Sequence, residues 1–205
     1  MGKSKGFSLV ELIIVIAIIA IISAAVAPAL IRYIVKARKA DDIAAAQTIG
    51  TSINAAITSE EHLYDYVAWS VSEMRKGNPV NNAYRILGYS SVDQTAQGRP
   101  HNALFRTVNI GGSRANMANE FADFMNTDLG GTFVKMRFGA FSKIDQWIVC
   151  VDRNEHLSVW VGADLNGNQY HINENHKIGS KEYYMLWPEV DKSYNLLQNA
   201  NSLPN

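Results

Sequence analysis

The feature that most restricts this chain lies near its start, where Leu12 to Ile31 form an apolar stretch of 20 residues interrupted in polarity only by Ser23. As a helix rising about 1.5 Å per residue it reaches roughly 30 Å, the hydrocarbon thickness of a bilayer. Such a segment can span a membrane, and the rest of the 205 residues suits one modest globular domain. The 19 basic side chains balance 19 acidic ones, so bulk charge points to no partner and leaves no whole-protein footprint for nucleic acid. Cys150 is the only cysteine, which excludes an intrachain disulfide and a cysteine-built zinc cluster. Within the strand-like run Ile148-Val149-Cys150-Val151 it reads as a small buried hydrophobe rather than a nucleophile.

Three readings compete for the apolar stretch. A secretory signal would have its basic start in Lys3 and Lys5 and its A-x-A site in Ala25-Val26-Ala27. Against it, Pro28 would follow the cut directly, the run is long for a signal core, and Glu11 intrudes at its start. A plain transmembrane anchor explains the length but gives no role to Glu11 or to the Gly6-Phe7 junction.

The third reading rests on Lys-Ser-Lys-Gly-Phe-Ser-Leu-Val-Glu-Leu, residues 3 to 12. This decapeptide resembles the class III leader junction of type IV prepilins and the related pseudopilins. The resemblance implies that a membrane peptidase cuts after Gly6 and that the new N-terminus, Phe7, is N-methylated. It also places the family's early glutamate on Glu11 and its helix-bending proline on Pro28. The match covers about the first quarter of the chain; beyond about residue 60 only a general pattern remains.

Glu11 has two physical explanations. Locally, Ser8-x-x-Glu11 is a capping box, with Ser8 accepting from the Glu11 amide and Glu11 from the Ser8 amide, while Phe7 and Leu12 form a hydrophobic staple. Among stacked helices, a lone carboxylate in apolar surroundings costs several kcal/mol, so it must be neutralised or paired. A Phe7 amine on a neighbouring subunit would supply that partner and set the axial register. Pro28 removes one backbone hydrogen bond, so the helix is expected to bend or loosen around Ala24 to Pro28, as a lipid-tolerated kink or as local unwinding in a filament. Ala17, Ala20, Ser23, Ala24, Ala25 and Ala27 allow close helix approach. Arg32, Lys36, Arg38 and Lys39 follow the span and two lysines precede it, so charge alone does not orient it.

The helix is expected to continue to about Ile57, because Ala45, Ile49, Ile53 and Ile57 recur every four residues with Ala46 and Ala56 beside them. Gly50 weakens this run without ending it, and Arg38, Lys39, Asp41, Asp42 and Gln47 form the exposed face. The resulting protein would be long-stemmed. A second helix is predicted over Glu60 to Lys76, stopped by Gly77-Asn78-Pro79, and a third over Asn116 to Asn126, burying Phe121, Phe124 and Met125. Residues 77 to 115 read as an irregular connection with limited regular structure. Thr132 to Phe138, Trp147 to Val151 and Leu157 to Val161 read as strands of a meander, with polar turns at residues 152–155 and 164–168. The tail, Lys181 to Asn205, should pack through Tyr183, Tyr184, Leu186 and Trp187 and end loosely. The fold class is therefore α+β, a long N-terminal helix on a C-terminal antiparallel sheet, which agrees with what the resemblance implies.

Candidate sites are few. Asp164, Asn166 and Asn168 offer alternate oxygen ligands as a calcium loop does, but Gln169 and Asn175 stand where glycine and a bidentate glutamate are needed, and an Asn-Gly hairpin turn fits better. His156, His171 and His176 lack any metal-ligand spacing and read as isolated surface histidines. Gly111-Gly112-Ser113 and Gly130-Gly131-Thr132 are turn words, insufficient for phosphate. No catalysis, cofactor or resident metal is expected.

The organisation expected is a leader over 1–6, a membrane or filament-core helix over 7–31, an amphipathic continuation over 32–57 and a headgroup over 58–205. The function implied is a structural filament subunit, found in the cytoplasmic membrane as precursor and outside the cell after assembly. Its expected partners are other copies of itself, the prepilin peptidase, the assembly platform with its ATPase, and the bilayer. Adhesion, DNA uptake or twitching would belong to the polymer; nothing in the sequence supports a nucleic-acid or host-surface site. A minor pilin or a pseudopilin of a secretion or competence apparatus shares the same helix, and a secreted or anchored enzyme or binding domain is the rival of another class. The missing disulfide pair leans towards a Gram-positive type and would leave the last third held only by packing.

Overall fold

The computed structural model describes residues 8–91, 104–107, 109–110, 112, 114–128, 136, 138, 144, 146–163, 165 and 168–197. The chain divides into two compact units, Met1–Ala37 and Arg38–Asn205. Helix α1, Leu9–Ser59, contributes to both and runs unbroken through Pro28. Helix α2 is Glu61–Arg75 and α3 is Arg114–Asp128. Strands β1 (Tyr84–Ser91), β2 (Leu104–Thr107), β3 (Gln146–Asp152), β4 (Leu157–Gly162) and β8 (Tyr184–Trp187) form an antiparallel sheet in the order β2-β1-β3-β4-β8. Strand β5 (His171–Ile172) also pairs with β1, while β6 (Lys177–Ile178) and β7 (Lys181–Glu182) form a separate ribbon before the short α4, Lys192–Leu196. The α+β layout is the one the sequence predicts.

The seam of α1 inside the second unit differs from the four-residue stripe. Its buried residues are Lys39, Asp42, Ala46, Ile49, Gly50, Ile53 and Ala56, whereas Ala45 and Ile57 are only half-buried. Apart from Gly50 the steps alternate three and four residues, the spacing that keeps one face of a 3.6-residue helix turned inward. Ile49 and Ile53 are completely buried, each contributing roughly 1.5–3 kcal/mol of apolar burial. Gly50 is there for space: a Cβ at this position would fall 2.6–2.7 Å from the Trp187 ring atoms Cε3 and Cε2. A glycine that weakens the helix locally is thus what admits the indole.

Strands β3 and β4 are buried along nearly their whole length, because both faces of the sheet are covered. The pairs Trp147↔Val161, Val149↔Val159 and Val151↔Leu157 lie on one face. On the other, Ile86, Ile148, Cys150, Trp160, Ile172 and Tyr183 pack into one cluster. Helices α2 and α3 meet through Tyr66 and Phe121, whose ring centres stand 5.4 Å apart, and the Tyr66 hydroxyl donates to Leu87 O at 2.9 Å. Arg153, in the β3–β4 turn, closes the end of α2 by donating to Met74 O and Gly77 O at 3.1 and 2.8 Å.

Three expectations need correction. The described part of residues 77 to 115 holds β1 and β2, two paired strands of the main sheet where little regular structure was expected. Lys39 and Asp42 are buried, not on the exposed face of α1. The last third is fastened by polar contacts as well as by packing, since Lys39 donates to Asn195 O and Leu197 O and the Tyr194 hydroxyl donates to Asp42. Of the strand expected over Thr132 to Phe138, only Met136 and Phe138 fall within the described residues, and neither is in a strand.

Candidate functional site

Every described residue from Ser8 to Ile34 is exposed, including Leu9 (74%), Ile21 (71%) and Ile31 (62%). A helix apolar on all sides and covered on none has its natural solvent in a bilayer or among other helices. It is long and apolar enough to cross a membrane. Its first turn is built by the residues the sequence singles out. The Ser8 amide donates to Glu11 Oε2 at 2.9 Å, the Val10 amide donates to Ser8 Oγ at 3.3 Å, and the Leu12 amide opens the helical ladder on Ser8 O at 3.2 Å. Ser8 therefore caps the amide two residues on, at Val10, in place of the Glu11 amide expected, and the Glu11 half of the box forms as anticipated. Gly6 and Phe7 lie outside the described residues, and with them the staple to Leu12.

A second constellation, which sequence reasoning missed, joins α1 to α4. Lys39 Nζ donates to Asn195 O at 2.9 Å and to Leu197 O, and stands 5.1 and 5.6 Å from the ring centres of Phe138 and Tyr194. Burial lowers the pKa of this ammonium, while the two carbonyls at the end of α4 each accept one of its protons. One turn on, Asp42 accepts from Phe138 N at 2.9 Å and from the Tyr194 hydroxyl at 3.1 Å. Burial and the Asp42 carboxylate together push the Tyr194 phenol well up. The start of α4 is held too: Asp191 Oδ2 accepts from Met185 N at 2.7 Å and pairs with His176 Nδ1 at 3.0 Å. The available signal was spacing, since Lys39 and Asp42 continue the three-four alternation of Ala46, Ile49, Ile53 and Ala56.

Among the described residues the remaining candidates do not converge on a site. His156 is exposed and paired with Asp152 at 3.1 Å. His171 and His176 are half-buried, against the surface reading. His171 lies 3.5 Å from Arg85 Nη1; burial, then the charges of Arg85 and Arg153, lower its pKa to about 4. His176 packs edge-on against Trp160, ring centres 4.7 Å apart. Cys150 is fully buried, and burial pushes its thiol up, as a core residue and not a nucleophile. Asp164 and Asn166 lie outside the described residues, and Asn168 Oδ1 accepts from Asn109 at 3.1 Å. Among the described residues, no group of three His, Cys, Asp or Glu side chains is placed to hold a metal.

The site with an architecture of its own is therefore the capped, uncovered first half of α1. A family model for the prokaryotic N-terminal methylation motif matches residues 1–27. The chain carries the class III leader of type IV pilins and pseudopilins. The matched residues take in Gly6, Phe7, the Ser8–Glu11 cap and most of the apolar run. No solved structure matches the chain.

Proposed function

We propose that this chain is a structural subunit of a type IV pilus or a related extracellular filament, made as a membrane precursor and polymerised through its N-terminal helix. The observation that carries this reading is the methylation motif at residues 1–27, set on a helix whose side chains are exposed all round from Ser8 to Ile34. A leader of this kind suits a structural subunit rather than an enzyme. Cleavage after Gly6 frees the Phe7 amine for methylation. Glu11 then pairs with the Phe7 amine of a neighbour, and Pro28 is where the packed helix bends or unwinds.

The capping contact does not oppose that pairing. Glu11 Oε2 accepts one proton from Ser8 N, and an ionised carboxylate offers about four acceptor positions in all. The bonded carboxylate is already oriented, which lowers the entropic cost of recruiting a second donor.

Mass spectrometry of the mature protein tests the processing: the expected N-terminus is methylated Phe7, and a start at Pro28 or an intact Met1 defeats it. Glu11→Ala should still be cleaved but should yield fewer filaments; normal yield would leave capping as the whole role of Glu11. Because the same leader serves pseudopilins, imaging a filament with this chain as its repeat separates a pilus subunit from a trace component of a secretion apparatus.

A further inference from the structure

Four cations follow the apolar run, and the structure divides them. Lys39 is buried and donates to Asn195 O and Leu197 O, and Arg38 is half-buried. Arg32 and Lys36 are exposed and stand one turn apart on α1, with Tyr33 beside them at 74% exposure. Like charges at this spacing repel across a helix face. The positions three and four residues from Arg32 are Pro28, Ala29, Val35 and Lys36, and those from Lys36 are Arg32, Tyr33, Lys39 and Ala40, so no acid neutralises either from the helix itself. Among the described residues neither forms an ion pair.

Depth names the missing counter-charge. The run Leu12 to Ile31 fills roughly 30 Å of hydrocarbon, which sets Arg32 at the level of the lipid phosphates and Tyr33 in the interfacial layer that aromatic residues favour. We propose that Arg32, Tyr33 and Lys36 form a headgroup site selective for anionic phospholipid in the leaflet next to the C-terminal end of the span. This rests on the membrane-precursor reading and extends it: the Arg32 guanidinium and the Lys36 ammonium bind the phosphate of an acidic lipid until the helix leaves the bilayer. Arg32 supplies the forked donor set suited to phosphate, and Lys36 adds a point charge.

The test is to reconstitute the full chain in vesicles of phosphatidylglycerol and phosphatidylcholine with matched acyl chains, and to measure the association of spin-labelled forms of each lipid. Wild type should prefer the anionic lipid by about fivefold per basic residue at low salt, falling towards parity near 1 M salt, where screening acts over about 3 Å. Arg32→Gln with Lys36→Gln should remove the preference, and Lys76→Gln, exposed just past the end of α2, should leave it intact. Equal association of both lipids with wild type, or a preference that survives the double variant, overturns the proposal. A chain that carbonate extracts from the vesicles overturns the membrane reading and this proposal with it, whereas an inserted chain without selectivity overturns the lipid site alone.

Discussion

The two halves of α1 obey opposite rules on one continuous backbone. From Ser8 to Ile34 every described side chain is exposed, and the polar groups within that stretch are few. From Lys39 to Ala56 one face is buried, and that face includes two charged residues that the domain satisfies with carbonyls, an amide and a phenol. The first half is a solute awaiting a solvent; the second has its solvent built in. Hydrophobicity by itself therefore does not mark the core of this protein, since its most apolar segment is uncovered and its buried seam holds a lysine and an aspartate.

Paired substitutions put the contrast to its hardest test. In the detergent-solubilised full chain, Ile53→Ala should cost about 2–5 kcal/mol of unfolding free energy, whereas Ile16→Ala should stay within about 0.5 kcal/mol. Denaturant unfolding followed by the four tryptophans, all in the second unit, reads both; equal losses would erase the distinction between the halves. Asp42→Ala should cost about 2–3 kcal/mol, because the Phe138 amide and the Tyr194 hydroxyl lose their buried acceptor. A neutral result there would mean that the polar part of the seam adds nothing to stability.

Gly50→Ala probes the closest contact of the buried seam. The alanine gains about 1 kcal/mol of helix propensity but drives a methyl group into the Trp187 ring, for a net loss of about 1–2 kcal/mol, with Trp187 fluorescence perturbed. The smallest effect is with pH. His171 has its pKa lowered from 6.5 to about 4 in the fold, so the unfolded chain binds the proton first. Its contribution is complete above about pH 6.5 and is lost as pH falls from there towards 4. Stability measured across that window should decline with acid, and His171→Gln should flatten the decline.

Much of this was legible in the sequence because local signals agreed with the tertiary outcome. The long helix, α2, α3 and the β3–β4 pair follow from periodicity and β-branched runs, and the Glu11 bond from a three-residue spacing. Strand β1 escaped notice because Arg85, Gly88, Ser90 and Ser91 break any two-residue alternation, yet Arg85 to Ser90 are all buried between neighbouring strands and helices. Strand β8 hid among the aromatics of the tail, where packing was expected but pairing with β4 was not. The charges of Lys39 and Asp42 point outward while their helical phase points inward; their partners lie more than 90 residues away, at Phe138, Tyr194 and Leu197, and no local pattern announces them.

The sheet wrapped on both faces has a consequence for variation over time. Since β3 and β4 present almost nothing to the outside, the exposed chemistry of the second unit is carried by its helices, its connecting loops and the β6–β7 ribbon. Those parts can change their chemistry, and with it whatever meets them, without disturbing the strand pairing underneath. Drift in appearance and constancy of architecture are thereby assigned to different residues.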